Sequence, residues 1–458
     1  GGADMLRRAM GKKDEKEMAS QREIFRKGAA INGLAQEKAD EVFDLMEKFA
    51  GYGFNKSHSA AYALLAYHTA WLKVHFTAEF FAANMTVEMD DTDKLKILFG
   101  DAQKMGLSFE VPDINQGDYR FEPISNKVVR YGLGAIKGTG KQAIEAIVAA
   151  RKEGGPFTSL FDFCVRVDRS KMNKRTVEAL IKGGAFDELH LNRAELLASS
   201  ERAFEFAAAT QANANQGGLF DMSDSHAAST QEPPLVEAVM FGIKARLVLE
   251  KTAIGFYLSG HLFDEVEQEV RQFAKRKIDD MIDSREPQLL AGIVTDLRII
   301  NGNRGKLIIF KLDDKTDVLE VSVDEATFNT HRNLLKEDEL VIVQGTLQGA
   351  SERFGRRFKV TQVWDLETAR CRFGKYLRVA VNGTAPDISR LVRAFPPRSE
   401  MSDQGESMRG LSVRLSLRRE GATAELHLGE AARFFPTDAA LASWKAQADQ
   451  GLARIVYE

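Results

Sequence analysis

Two glycines and two lysines near the chain's first third form the pattern with the most specific chemistry. Residues 133–144 read LGAIKGTGKQAI, in which Gly138 and Gly140 precede an apolar helical pattern. Glycines let a backbone approach a phosphate closely, and the free N–H groups of a helix N-terminus can bind its oxygens. The spacing favours a helix-hairpin-helix DNA-binding element over an ordinary helix turn. The predicted DNA contacts are Lys137, Gly138, Thr139, Gly140 and Lys141.

The same segment does not fit a Walker A nucleotide-binding loop. Five residues separate Gly134 from Gly140, where that loop has four. Gln142 follows Lys141 at the position where a Ser or Thr should bind Mg²⁺. The glycines are therefore interpreted as a DNA-binding feature.

A second polar cluster precedes an Ala-rich helical pattern. Its members are Tyr52, Asn55, Lys56, Ser57 and His58. Near a helix N-terminus such side chains could hold a phosphate. On spacing alone, a helix cap with exposed polar neighbours is slightly favoured.

An acidic cluster at 88–93 is the chain's own candidate for metal binding. Asp91, Thr92 and Asp93 stand directly before the helical pattern of residues 94–99. Asp is enriched at helix starts, where its side chain caps backbone N–H groups. We therefore predict a helix start here and not a metal site.

Length and composition limit the class of protein. The chain has 458 residues, 66 acidic against 63 basic side chains, and a hydrophobic share of 44%. At about 100–200 residues per domain, this length predicts three to five domains. Two isolated cysteines, Cys164 and Cys371, exclude a disulfide framework. No apolar run reaches the roughly 18–20 residues of a membrane span, so we expect a cytoplasmic protein with no membrane partner.

Charge is distributed unevenly along the chain. The net charge of −3 argues against a uniformly basic nucleic-acid binder. Residues 127–182, however, contain 12 Lys or Arg against 5 Asp or Glu, a local charge of +7. The glycine pattern thus lies in the part of the chain where phosphate attraction is expected.

Periodicity predicts a multidomain fold that is mainly α-helical at first, then a β-barrel, then a small α+β domain. Helical patterns at 37–48, 59–81 and 93–105 precede the glycine pattern. Five strand patterns with a helix at 326–335 before the fourth have the order of an oligonucleotide-binding (OB) barrel. The strand patterns are Leu289–Ile300, Leu307–Leu312, Val318–Val323, Leu340–Leu347 and Arg357–Val363.

The predicted barrel carries basic residues with an interleaved aromatic residue. This combination suits single-stranded nucleic acid through phosphate attraction and base stacking. The candidates are Arg298, Arg304, Arg353, Phe354, Arg356 and Arg357. Acidic residues crowd the barrel's other surfaces, so we expect the binding to be one-sided or weak.

Several long motifs resemble one family. GYGFNKSHSAAYALLAYHTAWLK at 51–73, preceded by GGADMLRRAMGKK, is similar to the fingers of the bacterial DNA polymerase III alpha subunits, the C-family replicative polymerases. The similarity continues through PDINQGDYRF, YGLGAIKGTG, MNKRTVEALIKGGAFD and IGFYLSGH into the barrel. It implies fingers at 1–126, a helix-hairpin-helix and clamp-binding region at 127–286, an OB-fold at 287–366 and a clamp-loader-binding domain at 367–458. Residues 201–237 are predicted to be a flexible segment.

The resemblance assigns roles to individual residues. Arg7 and Arg8 match an arginine pair that contacts the triphosphate of the incoming dNTP, although a solvated helix face is the alternative. The cluster from Tyr52 to His58 matches a loop that faces the nascent base pair. The glycine pattern matches an element that grips primer-template DNA, and the barrel matches one that contacts the single-stranded template. The tail matches the part that binds the clamp-loader tau subunit.

A partner motif lies within the polar segment 201–237. Gln216, Leu219 and Phe220 have the form Gln-x-x-Leu-Phe, which resembles the pentapeptide that binds the beta sliding clamp. Burial of each apolar side chain in a groove would contribute about 1.5–3 kcal/mol, against about 1–2 kcal/mol per residue for ordering the backbone. Two apolar residues packed against their own domain is the alternative.

The resemblance also implies what this stretch lacks. Phosphoryl transfer needs carboxylates that hold two Mg²⁺ ions. In the family these belong to the palm, expected before Gly1, as does the region that binds a proofreading exonuclease subunit. We expect a fragment of a longer protein, with no catalytic or metal-binding residue here and no activity alone. The alternatives are a non-catalytic adaptor that links DNA to the clamp, or an error-prone paralogue of the alpha subunit.

Overall fold

The computed structural model describes residues 2, 4–6, 9, 15–52, 56–216, 231–281, 286–302, 305–348, 357–402, 405–419 and 421–457. These residues form two compact units. The first comprises Gly1–Pro112 and Gln116–Ala135, and the second comprises Asp113–Asn115 and Ile136–Glu458. The finer division into four domains stays a prediction.

The first unit is mainly helical. Its helices are α1 (Glu15–Ile31), α2 (Gln36–Tyr52), α3 (Lys56–His75), α4 (Thr77–Val87) and α5 (Thr92–Lys104). Its small sheet has the order β1-β3-β2, with β1 (Ser108–Glu110), β2 (Glu122–Ser125) and β3 (Val128–Arg130). Asp91 is the N-cap of α5, and its side chain accepts a hydrogen bond from the Lys94 N–H at 3.1 Å, as expected for a helix start.

The single helix predicted at 59–81 is two helices. Phe76 separates α3 from α4 because its backbone, at φ −132° and ψ 55°, is not helical. The break turns α4 so that Phe81 and Met85 are fully buried, while α3 keeps most of its side chains exposed. Periodicity did not reveal the break, since both helices are apolar and Ala-rich.

The second unit begins with short helices around an aromatic core. They are α6 (Lys141–Gly154), α7 (Leu160–Arg166), α8 (Lys174–Lys182), α9 (Arg193–Gln216), α10 (Ile243–Ile254) and α11 (Glu267–Val270). Phe163 packs between Phe157 and Phe186, with ring centroids 4.9 and 5.0 Å apart. Ser159 and Asn173 cap α7 and α8 through their side-chain oxygens.

The first part of the segment predicted to be flexible, residues 201–237, lies in a helix. Residues 201–216 continue α9 without interruption. Their Ala, Glu and Gln residues are good helix formers, and Ala203 and Ala207 are buried. The Phe206 ring also packs against Phe161, with centroids 5.7 Å apart. A composition typical of a linker thus forms a helix that reaches Gln216, and this helix is packed around Ala203 and Ala207.

Five strands then close into a barrel with the order β4-β5-β6-β8-β7. The strands are β4 (Gln288–Gly302), β5 (Gly305–Asp313), β6 (Val318–Asp324), β7 (Leu340–Gln348) and β8 (Arg357–Trp364), with α12 (Glu325–His331) between β6 and β7. Phe310, Val321 and Phe358 are fully buried in its core. At the register shift in β7 only glycine fits at Gly345, since a Cβ would overlap the Lys359 carbonyl. Strand order and number confirm the OB-fold prediction.

The chain ends in an α+β region, as predicted. A four-stranded sheet has the order β13-β12-β9-β14. Its strands are β9 (Gly374–Val381), β12 (Val413–Arg419), β13 (Ala422–His427) and β14 (Ala453–Tyr457), accompanied by α13 (Leu366–Phe373), α14 (Ile388–Ala394), α15 (Asp438–Gln447) and the hairpin β10 (Arg398–Ser402) with β11 (Gly405–Arg409). Leu391 of α14 and Trp444 of α15 belong to the core on one sheet face.

A buried arginine joins this region to the segment that precedes the barrel. The Arg370 guanidinium bonds both Glu269 oxygens at 2.7 and 2.8 Å, and it also bonds Asp438 at 2.7 Å. The Tyr457 hydroxyl donates to Glu269 at 2.6 Å. Burial would raise the pKa of Glu269, but its bonds to Arg370 outweigh that effect and lower it.

In the described part of the chain, no helix has the length and apolar character needed to cross a membrane.

Candidate nucleic-acid interface

The loop before α6 has the backbone geometry that its glycines predict. Gly138 has φ +86°, in the left-handed region that glycine adopts without strain. Gly140 is the N-cap of α6, with φ −81° and ψ 153°. The first N–H groups of a helix have no partner within it. In α6 the Ala143 N–H donates to the Gly140 carbonyl at 3.0 Å, so the first-turn groups that could meet a phosphate are the Lys141 and Gln142 N–H groups.

Neighbouring helices hold the loop in place. The Lys137 N–H donates to the Ala253 carbonyl of α10 at 2.7 Å. The Thr139 N–H and hydroxyl both donate to the Ile136 carbonyl, at 3.1 and 2.6 Å. From α8, the Thr176 hydroxyl donates to the Gly138 carbonyl at 3.4 Å. The loop is thus positioned by contacts at both ends.

The buried side of α6 fixes which groups face outward. Ile144 and Ile147 are fully buried, as the helical pattern predicted. On the opposite side Lys137, Gly138, Gly140 and Lys141 are exposed, and Thr139 is partly exposed. Lys141 lies 3.8 Å from Glu145, an exposed pair of little energetic weight. The structure therefore brings all five predicted DNA contacts to one surface.

A buried ionic cluster braces the helices behind the loop. Glu250 of α10 is fully buried, and its carboxylate accepts from the Ser259 N–H at 2.8 Å and the Ser259 hydroxyl at 2.6 Å. Arg193, at the start of α9, binds both Asp187 oxygens at 2.8 and 2.6 Å and lies 3.8 Å from Glu250. Buried charges are tolerated when paired in this way. Sequence reasoning did not find this cluster.

The predicted contacts of the barrel differ from those of the loop because the described ones are paired with carboxylates. Of its six predicted contacts, Arg304, Arg353, Phe354 and Arg356 lie outside the described residues. Arg298 binds both oxygens of Asp296, at 2.7 and 2.9 Å. Arg357 donates its Nε–H to Glu320 at 2.6 Å, and its Nη2 also contacts that carboxylate. Both described arginines are therefore held by local carboxylates.

Asp296 is held in its ionised form. Burial would raise its pKa, but hydrogen bonds from Lys311 and Arg298 outweigh this effect and lower it. Lys311 lies 3.0 Å from the carboxylate. Sequence reasoning missed this pairing, although the spacing of Asp296 and Arg298 was a signal for it. Single-strand binding at Arg298 would have to compete with an anion that is already present.

The predicted nucleotide-binding residues lie in the first unit. Arg7, Arg8 and Asn55 are outside the described residues. Tyr52 ends α2 and Lys56 begins α3, and the structure describes only their backbone. In the first turn of α3, Ser57 and His58 are exposed, and the His58 ring lies 4.5 Å from that of Tyr62. Their roles stay predictions.

The clamp motif is described only at its first residue. Gln216 is the last residue of α9, and its side chain is not described. Leu219 and Phe220 lie outside the described residues. The motif therefore begins where a packed helix ends, and its binding role stays a prediction.

Two sequence-family models match the chain. One described as a helix-hairpin-helix motif matches residues 106–196, which include the loop before α6. The other, described as an OB-fold nucleic acid binding domain, matches residues 289–366, which include the barrel. Both fold predictions are confirmed.

Solved structures add little. The SSB domain of a Synechococcus protein is 12% identical, covers 18% of this chain and 98% of its own, and has a TM-score of 0.16. A small single-stranded DNA-binding protein from Streptomyces coelicolor is 13% identical, covers 18% of this chain and 95% of its own, and has a TM-score of 0.15. At such TM-scores the likeness carries no argument.

Curated relatives match most of the chain. The DNA polymerase III subunit alpha of Neisseria meningitidis serogroup B is 49% identical over 399 residues, 86% of this chain and 34% of that protein. That of Pseudomonas aeruginosa is 42% identical over 83% of this chain and 34% of its own length. That of Vibrio cholerae is 40% identical over 96% of this chain and 38% of its own length. The chain thus spans about a third of these relatives, and over that third it belongs to the DNA polymerase III alpha-subunit family, matching the C-terminal part.

Proposed function

We propose that this chain is the part of a replicative DNA polymerase that holds DNA and the sliding clamp while the whole subunit synthesises DNA from dNTPs. The observation that carries the proposal is the exposed loop before α6, where two glycines and two lysines meet a helix N-terminus. The family relationship supports the same reading. An adaptor without a nucleotide role would share the loop but not the fingers residues.

The loop would bind the DNA backbone without reading sequence. A phosphate in front of α6 would accept hydrogen bonds from the N–H groups of the first helical turn. Lys137 and Lys141 would add two charges that release counterions from the duplex. Such contacts position a protein on DNA and carry no base information. This is the behaviour required of a polymerase that moves along its template.

Duplex binding by the full chain tests this part of the proposal. The double variant Lys137→Glu/Lys141→Glu should weaken binding of a primer-template about 30-fold at 0.15 M salt, since each lost phosphate contact contributes about 0.9 to the salt exponent. Lys152→Glu makes the same lysine-to-glutamate change once, at the other end of α6, where Lys152 is also exposed, and should have little effect. Equal losses in both variants would reject a specific role for the loop.

The barrel would contact the single-stranded template. Arg298 and Arg357 would exchange a carboxylate for a phosphate, which lowers the net gain in free energy. Arg304, Arg353, Phe354 and Arg356 would add further phosphate and stacking contacts. We therefore expect weaker binding at the barrel than its number of arginines indicates.

The fingers residues would bind the incoming nucleotide. Arg7 and Arg8 would hold the triphosphate, because guanidinium groups match phosphate oxygens in pairs. The cluster from Tyr52 to His58 would face the nascent base pair. In the full-length protein, Arg7→Ala should raise the KM for dNTP, whereas an adaptor without a nucleotide role predicts no change.

Mg²⁺ belongs to a different part of the subunit in this proposal. Asp91 caps α5, and among the described residues no three acidic, His or Cys side chains lie close enough to hold a metal ion. The part of the chain that the structure describes therefore does not fit Mg²⁺. With primed template, Mg²⁺ and dNTPs, we expect the chain alone to incorporate no nucleotide. Incorporation that Asp91→Asn abolishes would contradict this.

The clamp, the tau subunit and an exonuclease subunit are the proposed protein partners. Gln216, Leu219 and Phe220 would bind the clamp weakly but effectively, since a protein held to both DNA and ring has a raised local concentration. Leu219→Ala/Phe220→Ala should abolish binding to an immobilised clamp. Leu191→Ala, which truncates a highly exposed leucine outside the motif, should leave binding unchanged. Retained affinity in the double variant would remove the clamp assignment.

A further inference from the structure

Three arginines and a histidine lie side by side across the C-terminal sheet. Arg378 of β9 is the register partner of Arg414 in β12 and of Arg454 in β14. Arg414 is also the register partner of His427 in β13. We call Arg454, Arg378 and Arg414 the arginine row.

The row lies on the sheet face opposite the core. Side chains alternate between faces along a strand. Leu377 and Val379, which flank Arg378, are buried in the core, as are Val413 and Leu415, which flank Arg414. The arginines therefore point away from α14 and α15. Their side chains are 35% exposed for Arg378 and 32% for Arg414, and Arg454 is exposed.

A tyrosine fixes the orientation of the row. The Arg414 guanidinium carbon lies 3.7 Å from the centroid of the Tyr376 ring, and that of Arg378 lies 5.8 Å away. Arg378 also donates to the Tyr376 hydroxyl at 3.1 Å. The ring is buried beneath these groups, with 7% of Tyr376 exposed. Cation–π contact thus orders two guanidinium groups that would otherwise be flexible.

Within the described residues, Arg378 and Arg414 pair with the same carboxylate. Glu425 lies 2.9 Å from Arg378 and 3.9 Å from Arg414. Arg418, which lies on the same face of β12, is exposed and adds a further charge. Like charges directly opposite each other destabilise a sheet. An anion that spans the row would remove this cost.

We propose that this face binds single-stranded nucleic acid, with successive phosphates along the arginine row. Two strand spacings of about 4.8 Å make the row about 10 Å long, enough to contact more than one phosphate of an extended strand. Arginine forks match phosphate oxygens in pairs. A guanidinium already stacked on Tyr376 offers its other side to an unstacked base, a common arrangement in single-strand recognition. The site is separate from the loop before α6 and from the barrel.

Binding of a fluorescent 20-residue oligo-dT by the full chain tests the proposal. Arg414→Gln/Arg454→Glu should lower the salt exponent by about 1.4, or about 0.7 for each phosphate contact, and weaken binding about 20-fold at 0.1 M salt. Arg393→Glu changes an exposed arginine on α14, which covers the other sheet face, and should change affinity less than twofold. Equal effects of the two variants would overturn the proposal.

Two further arms separate folding and ligand chemistry. Arg454→Glu alone alters an exposed side chain and should leave thermal unfolding unchanged. A salt exponent lowered by about 0.7, half the effect of the double variant, would support a direct contact. No change in exponent for this variant would count against it. If the double variant loses binding of a 20-residue oligo-glutamate but keeps its affinity for oligo-dT, the face belongs to acidic protein segments and nucleic-acid binding is refuted. Duplex affinity should be unchanged in these variants, which distinguishes this site from the loop.

Discussion

The loop before α6 and the barrel use the same kinds of cationic side chain, but they present them differently. At the loop, Lys137 and Lys141 are exposed at the N-terminal end of α6, and the Glu145 carboxylate that pairs with Lys141 is 3.8 Å away. In the barrel, Arg298 and Arg357 each bind a carboxylate within 2.7 Å. A basic side chain attracts phosphate less strongly when a neighbouring carboxylate already binds it.

The two regions also differ in how they are braced. Behind the loop, Glu250 binds backbone N–H groups at a helix end. Beside the barrel, Asp314 is fully buried and accepts from the Arg271 guanidinium at 2.7 Å, the Thr316 hydroxyl at 2.6 Å and the Ile278 N–H at 3.0 Å. Each carboxylate orders a segment that connects to a candidate interface.

The largest expected effect follows from removing the barrel's brace. Asp314→Ala leaves Arg271 without its buried partner and should destabilise the protein by about 3–5 kcal/mol. Denaturant unfolding followed by tryptophan fluorescence measures this change. Asp317→Ala removes an exposed carboxylate three residues away and should cost less than about 0.5 kcal/mol. Similar losses in both variants would show that Asp314 is not a brace.

The buried carboxylate of Asp314 also predicts that the protein loses stability in acid. Burial would raise the pKa of Asp314, but hydrogen bonds from Thr316 and Arg271 outweigh it and hold the pKa below the ordinary 3.8. The stabilisation is therefore fully present above pH 3.8 and is lost as pH falls through the lower folded pKa. The stability difference between wild type and Asp314→Asn should be constant from pH 7 to 5 and shrink below pH 3.8. A difference that shrinks already between pH 7 and 5 would contradict this.

A smaller effect distinguishes the two glycines of the loop. Gly138→Ala forces a side chain into left-handed backbone geometry and should cost about 1–2 kcal/mol. Gly140→Ala, at φ −81°, should cost less, roughly 0.5–1 kcal/mol, because alanine is a poorer N-cap than glycine but needs no positive φ there. Neither added Cβ meets an atom within 4 Å, so the comparison isolates backbone strain. Thermal unfolding gives the difference, and equal costs would refute a need for positive φ.

The smallest effect tests whether carboxylates restrain the barrel. Glu320→Gln should weaken the hold on Arg357 and raise oligo-dT affinity about 1.4- to fivefold, the equivalent of an ion pair worth roughly 0.2–1 kcal/mol. Asp317→Asn removes the same charge at an exposed site without an arginine role and serves as the control. If both changes raise affinity equally, the gain comes from net charge and not from release of Arg357.

Local sequence patterns predicted the loop and the barrel strands well. Gly138, Gly140 and the apolar positions of α6 are close in sequence, so one pattern contains both the geometry and the exposed groups. Strand alternation likewise predicted β4 to β8 within a few residues. These features depend on neighbours along the chain.

Features that depend on distant contacts were not predictable in this way. Glu320 pairs with Arg357 because β6 and β8 are parallel neighbours in the barrel, which no local pattern reveals. The break at Phe76 and the continuation of α9 to Gln216 depend on what each helix packs against. The arginine row exists only through the register of β14, β9 and β12.

The most direct test of the account compares salt exponents for primer-template duplex binding. Lys137→Glu/Lys141→Glu should lower the exponent by about 1.8, or about 0.9 for each phosphate contact at the loop. Arg298→Glu/Arg357→Glu, which reverses as many charges on the barrel, should change it by less than about 0.5 because those arginines already neutralise Asp296 and Glu320. Equal changes, or a larger change from the barrel variant, would contradict the assignment of duplex binding to the loop.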